Sequence, residues 1–209
     1  MDKTHHTPAH SMRILVVAAT ARELATSDRW TALVCGVGPV EAAIATASAI
    51  NRARPSVLLH VGIAGARRAR ALAPASLVIG CAARYCDLSY ANSWAPRSVT
   101  APAEMIAAVQ RVLPTAPVLT IGTSAQIGGS NNCDVEAMEG FSVLRAAQRA
   151  DVPAIEVRAI SNDIEESDRA RWHFDAAFAA IRSVTPSLVA ELARCLDLGH
   201  FDRVLRDDA

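Results

Sequence analysis

Apolar positions along this chain fall into short unbroken runs separated by longer periodic stretches. Residues 13–19 (RILVVAA) form a β-branched run without polar alternation, the pattern of a strand buried on both faces. Residues 33–38 (LVCGVG) repeat it and end in glycines. Pro39 then opens a helical pattern to Arg52, with Val40, Ile44 and Ala47 predicted on its core face and proline in the first turn, where a missing N–H costs nothing. Further strands are predicted at 56–62, 76–82, 118–123 and 153–160. Helices are predicted at 103–113, 138–150 and 174–198, the last with a kink or break at Pro186. Residues 92–102, with Trp94, Pro96 and Pro102, read as a loop, and Gly128-Gly129-Ser130 as a tight turn. This alternation of strand and helix predicts an α/β fold with a largely parallel sheet and right-handed crossovers.

Composition narrows the class. No compositional break divides the 209 residues, so residues 12–209 read as one domain, and residues 1–11, polar and aperiodic with His5, His6 and His10, as a tail that is native or tag-derived. Acidic and basic residues balance at 21 each and the basic ones are scattered, which argues against a nucleic-acid partner. Cys35, Cys81, Cys86, Cys133 and Cys195 are odd in number and lack zinc-like spacing, so no metal and a reducing, cytoplasmic location are expected. No apolar run approaches the roughly 18–20 residues that cross a bilayer, so no membrane partner is expected either.

In an open parallel sheet, ligands bind beyond the carboxyl ends of the strands. The polar and small residues predicted there are Glu23, Gly62 to Gly65, Gln126 to Ser130, and Ser161 with Asn162; Glu139, at a helix start, could join them. Each has a plain alternative: Glu23 as a surface acid, Glu139 as a carboxylate favoured by the helix dipole, Asn162 as a turn residue. Gly36-x-Gly38 lacks the third glycine of a dinucleotide fingerprint and reads as a tight turn. His60, inside an apolar run, reads as a hydrogen-bonded core histidine.

Taken together and in order, these residues carry more. The segment Val135-Glu136-Ala137-Met138-Glu139-Gly140, followed by Arg158-Ala159-Ile160-Ser161-Asn162 and then by an acidic stretch from Ile164 to Trp172, resembles the purine nucleoside phosphorylase and nucleosidase superfamily. Gly36 to Ala43 and Gly62 to Ala66 extend the likeness from Arg13 to about Leu196, and within the superfamily it is greatest to the futalosine hydrolases. The resemblance implies a three-layer α/β/α nucleoside phosphorylase-like fold with a mixed, largely parallel central sheet. It also implies a homo-oligomer, built on dimers, and a hydrolase that uses no cofactor and releases hypoxanthine from futalosine in menaquinone biosynthesis.

By the same resemblance, Met138 packs on the ribose, Glu139 accepts from its hydroxyls, and Glu23 is the general base that activates water. Glu23 stands in an unusual local frame, Ala-Ala-Thr-Ala-Arg-Glu. Asn162 faces the base; adenine-specific relatives carry aspartate there, whereas an amide can donate to O6 and accept from a protonated N7 of a 6-oxopurine. Ala64, Gly65, Gln126 and Ile127 border base and sugar, with Ser161 beside them. Two readings stand for Arg158, which either keeps an acid ionised and in place or is a structural ion-pair partner, and two for Trp172, a pocket wall or a helix-packing residue. No basic residue is clearly placed for phosphate. Arg84 is the one candidate, and a structural or surface role suits it better.

Three rivals remain at this stage: a methylthioadenosine/adenosylhomocysteine nucleosidase, a phosphate-dependent phosphorylase, and a purine nucleoside-binding protein without turnover. The last is motivated by the short connection at residues 24–31, which could leave a pocket wall missing or supplied by another subunit.

Overall fold

The computed structural model describes residues 14–88, 95–130 and 132–201. Eight strands and four α-helices follow one another as β1 (Ile14–Ala18), β2 (Thr31–Val34), α1 (Pro39–Ala53), β3 (Val57–Ala66), β4 (Leu77–Tyr85), β5 (Ser98–Thr100), α2 (Ala103–Val112), β6 (Val118–Thr123), β7 (Val135–Ala137), α3 (Gly140–Arg149), β8 (Ala154–Asp163) and α4 (Phe174–Asp197).

The strands form one mixed sheet. β1 lies parallel to both β2 and β3, β3 runs parallel to β8, and β6 lies parallel to β4 and β7. β8 is antiparallel to β4, β5 is antiparallel to β4, and β7 is antiparallel to the end of β3. The pairings β3–β8–β4–β6–β7–β3 therefore close on themselves, and this part of the sheet is a small barrel with β1 and β2 as an open extension.

Closure creates three apolar regions. Alternate residues of β1 divide between the two sheet faces: Ile14, Val16 and Ala18 pack with α2 and α4, while Leu15 and Val17 pack with α1 and α3. Both faces are covered, which is why the strand sequences are continuous apolar runs. Val78, Ile121, Val135 and Ile160 fill the barrel interior with Ala64, Ala66 and Ala137.

Several predicted boundaries move, each for a long-range reason. β3 and β8 continue to Ala66 and Asp163 because they pair with each other, through an irregularity at Ala64/Gly65. Gly62 to Gly65, Ser161 and Asn162 are thus inside strands and not after them. The predicted 92–102 loop contains β5 in its described part, while residues 92–94 lie outside the described residues. β7, not predicted, is a three-residue strand formed by barrel closure. α3 begins at Gly140, leaving Met138 and Glu139 before it. α4 runs unbroken through Pro186. One window of α4 is as apolar as a membrane-spanning segment, but Ala177, Ile181, Leu188 and Leu192 of this helix are core residues.

The predicted face of α1 is reversed. Ala42, Thr46, Ala49 and Ile50 are buried, whereas Val40 and Ile44 are 66% and 63% exposed. α1 packs against α3, and the small side chains at Ala42 and Ala49 suit a close approach of the two helices.

Candidate active site

The ends of β1, β3, β6, β7 and β8 surround a cavity of about 710 Å³. Its walls include Glu23, Ala64, Gly65, Gln126, Ile127, Met138, Glu139, Ser161, Asn162 and Trp172, so ten of the residues singled out in the sequence meet in one place. Arg158 does not reach the cavity surface. It is fully buried, and the partners it has are Glu156, His60, Glu139 and the Ile63 carbonyl. Arg84 is not in the wall either.

Glu23 ends a single 3-10 turn, Ala21–Glu23, whose capping residue Thr20 and Glu23 bond reciprocally. Oε2 accepts from the Thr20 amide at 2.8 Å and its hydroxyl at 2.9 Å, while Oε1 accepts from the Ile63 amide at 3.1 Å. Three of about four acceptor positions on the carboxylate are filled, leaving one on Oε1. The side chain is oriented from both β1 and β3 and is only 3% exposed.

Glu139 is held from the opposite side. Gly36 and Gly38 have φ values of +85° and +92°, conformations suited to glycine, and this turn aims the Gly38 amide at Glu139 Oε1 at 3.0 Å. Glu139 Oε2 lies 3.7 Å from the Arg158 guanidinium, an ion-pair distance rather than a hydrogen bond. Burial pushes the Glu139 carboxyl above the usual carboxylate range, opposed by Arg158 and the Gly38 amide. The tight turn read from the sequence thus acts as a support for a carboxylate 101 residues away.

The single Ser161 hydroxyl hydrogen is directed to Asn162 Oδ1 at 2.7 Å, with the Ala64 carbonyl a longer alternative acceptor at 3.2 Å, and Asn162 Nδ2 donates to the Asp163 carbonyl at 2.9 Å. These bonds fix the amide orientation and leave one N–H and one acceptor position unused. Trp172 is part of the cavity wall, its indole N–H bonded to the Glu166 carbonyl at 2.9 Å. It continues into Phe174 and Phe178, with ring centroids 5.4 and 6.2 Å apart along the series.

Some features were not read from the sequence. Phe174 and Phe178 complete an aromatic wall, but α4 is apolar on several sides and gives no local sign of which ring faces the cavity. Glu136, also in the wall, accepts from the Gly128 amide at 2.5 Å and the Ser130 hydroxyl at 2.6 Å, which holds the loop bearing Gln126 and Ile127. Asp87 anchors the other end of that loop by accepting from the Ser124 hydroxyl at 2.6 Å and the Ala125 amide at 2.8 Å.

Gly62 is required by crowding. A methyl group there would stand 2.8 Å from Glu23 Oε1 and against an Arg158 terminal nitrogen. Gly62→Ala is therefore expected to displace Glu23 or Arg158 and to lower the melting temperature, measured calorimetrically; an unchanged melting curve would contradict the crowding.

Comparison with known proteins places the chain in a family. The model of the phosphorylase superfamily matches residues 4–196. A futalosine hydrolase of Streptomyces coelicolor is 32% identical, over 79% of this chain and 80% of the relative. Among solved structures, a methylthioadenosine/adenosylhomocysteine nucleosidase of Colwellia psychrerythraea in complex with adenine has a TM-score of 0.76 at 17% identity, covering 87% of this chain and 96% of that one. The futalosine hydrolase of Helicobacter pylori has a TM-score of 0.77 at 15% identity, covering 87% and 98%. With the matched family model extending over nearly the whole chain, and a barrel-centred fold shared with these enzymes, the chain belongs to the phosphorylase superfamily.

Proposed function

We propose that this protein is a nucleosidase that hydrolyses the N-glycosidic bond of futalosine, releasing hypoxanthine. The observation that carries the reading is the facing pair of anchored carboxylates, Glu23 and Glu139, in one cavity with an amide, Asn162, on its other side. Glu139 keeps acceptor positions for two ribose hydroxyls, and Met138 beside it offers the apolar contact for the sugar. The open position on Glu23 Oε1 can take a proton from the attacking water as the glycosidic bond breaks and positive charge builds on the sugar. Asn162 has one donor and one acceptor left, which suits O6 and a protonated N7 of a 6-oxopurine.

Hydrolysis is preferred to phosphorolysis. Arg169, the cationic side chain in the cavity wall among the described residues, is exposed at the rim with its guanidinium 5.7 Å from the Trp172 ring centre, and not beside the two acids. The identity to the Streptomyces coelicolor futalosine hydrolase supports futalosine as substrate. The adenine-bound structural relative supports the second reading, an adenosine-type nucleosidase, against which Asn162 argues. Five unpaired cysteines support a reducing, cytoplasmic location.

The surface supports a homo-oligomer. Val34, Val37, Val40 and Ile44 are 50–66% exposed on β2, the glycine turn and α1, and Val37 is also in the cavity wall. Such a patch beside a site marks an interface, and we assign it to a homodimer. Ile44→Glu should convert the protein to a monomer by light scattering while leaving the fold intact by circular dichroism; a wild-type monomer would remove the assignment.

The functional reading is tested by chromatography of products from futalosine, inosine, methylthioadenosine and adenosylhomocysteine, each with and without phosphate. Phosphate-independent hypoxanthine release from futalosine is expected, and Glu23→Gln should lower kcat by about 10²–10⁴-fold. Adenine release would select the second reading, and tight binding without product would make the protein a nucleoside binder. Futalosine turnover improved by Asn162→Asp, with adenosine analogues still uncleaved, would refute the role given to the amide.

Because burial raises the pKa of Glu139, its ionised form is lost on acidification sooner than that of an exposed glutamate. Affinity for inosine in Glu23→Gln protein should fall as the pH descends through that raised value, in calorimetric titrations from neutral to mildly acidic buffer. Affinity that held down to the ordinary carboxylate range would show that Glu139 does not bind as a carboxylate.

A further inference from the structure

Two fully buried polar residues, His60 on β3 and Glu156 on β8, take no part in the chemistry above and do not touch the cavity. Both hold Arg158. Glu156 Oε1 accepts from Arg158 Nε at 2.7 Å, and His60 Nε2 contacts the terminal nitrogen Nη2. His60 Nδ1 lies 3.1 Å from the Val17 carbonyl, which can only accept, so Nδ1 carries the ring hydrogen and Nε2 is left as an acceptor. The histidine is therefore neutral, in agreement with a pKa driven well below its ordinary value by burial and by the adjacent guanidinium.

The guanidinium is thus fixed on its inner side by two acceptors of different kinds. Its outer side reaches the Ile63 carbonyl at 3.4 Å and Glu139 at 3.7 Å. Ile63 is the residue whose amide positions Glu23. The surrounding backbone has been emptied to admit this cluster. Gly62 leaves room for Arg158 Nη1, and Gly140, next to Glu139, leaves room for the Glu156 carboxylate, which an added methyl group would overlap.

From this arrangement we propose that His60 and Glu156 are positioning residues for glycosidic hydrolysis: they hold Arg158 from below, and through it set the spacing of Glu23 and Glu139. The proposal rests on the nucleosidase reading. The ionisable groups that act on Glu139 are Arg158 and Glu156 from β8 and Glu23, while Cys35 beyond β2 has a thiol pushed up to about 12 by burial and stays neutral; His60 acts on Arg158 alone. Glu156 competes with Glu139 for Arg158, the fully buried cation among the described residues. Removing its charge takes away one influence that raises the Glu139 pKa and leaves Arg158 freer to lower it.

The test compares His60→Leu, His60→Gln and Glu156→Gln with the wild type on futalosine and inosine, recording kcat, KM, the pH dependence of kcat/KM and the melting temperature. Leucine removes the acceptor, whereas the glutamine oxygen can occupy the place of Nε2. His60→Leu should lower kcat by roughly 10- to 100-fold, the scale of a small displacement of catalytic groups, with KM within about twofold, and His60→Gln should recover most of the loss. Glu156→Gln should move the acid limb of kcat/KM to lower pH. Equal kcat in His60→Leu and wild type, or an acid limb unmoved in Glu156→Gln, would overturn the proposal, as would losses that track melting temperature alone. If His60→Leu does not fold, the glutamine variants decide: near-wild-type kcat in His60→Gln with the shifted limb in Glu156→Gln supports the positioning role, and either missing overturns it. A wild type that cleaves no nucleoside overturns the nucleosidase reading itself and this inference with it; an active wild type with an indifferent His60 and Glu156 overturns the inference alone.

Discussion

Arg158 sits fully buried with carboxylates on two sides, Glu156 at 2.7 Å and Glu139 at 3.7 Å, and Glu23 is close enough to act on its charge. Burial alone would lower the pKa of the guanidinium, but the three acids together raise it, so it stays charged. Removing one partner of such a buried pair typically costs about 3–5 kcal/mol, because the remaining charge is left without compensation. The acids depend on the arginine in turn. Glu139 and Glu156 are both shifted upward by burial, with Arg158 opposing the shift in each, so without the cation both would be protonated more readily. The carboxyl proposed to accept from a sugar is therefore helped to stay ionised by a cation outside the cavity wall.

That mutual dependence explains much of the backbone around it. β3 and β8 run side by side for almost their full lengths, and their register places Gly62 opposite Arg158. The wide guanidinium fits because its strand neighbour has no side chain. The two strands then continue past an irregularity at Ala64/Gly65, which sets Gly65 opposite Asn162, and a methyl group on Gly65 would come within 3.1 Å of the Asn162 amide nitrogen. Each glycine in this pair of positions leaves room for a particular side chain on β8.

Much of this was legible in the sequence, and what was not has physical causes. An unbroken β-branched run marked β1 because a strand covered on both faces needs no polar alternation, β3 and β8 were read as strands despite the polar His60, Glu156 and Arg158 within them, and Pro39 marked the start of α1. Gln126, Met138, Glu139, Ser161 and Asn162 were recognisable as an ordered set, and they converge on one cavity. β7 was invisible because three residues carry no period; only the closing of the barrel makes Val135–Ala137 a strand. The buried side of α1 was misread because hydropathy favours Val40 and Ile44, whereas a close helix contact favours Ala42 and Ala49. The partners of Arg158 were hidden for a further reason: Glu156 is two residues away on the same strand, but His60 is 98 residues away, and only the register of β3 on β8 brings it in.

The reversed face of α1 also bears on the short connection between β1 and β2. In sequence residues 24–31 suggested an incomplete pocket, and in the fold they follow directly on the turn 21–23 that seats Glu23 and include Trp30, packed into the core. None of residues 24–31 is in the cavity wall. On that side the wall includes Val37, half exposed and continuous with Val34, Val40 and Ile44. An apolar edge shared by a cavity and a surface patch is covered economically by one apposed surface, which would shield the patch from water and complete the cavity at the same time. Under the homodimer proposed above, the shortness of the connection and the exposure of α1 would be one feature, with a second copy supplying the wall that residues 24–31 do not.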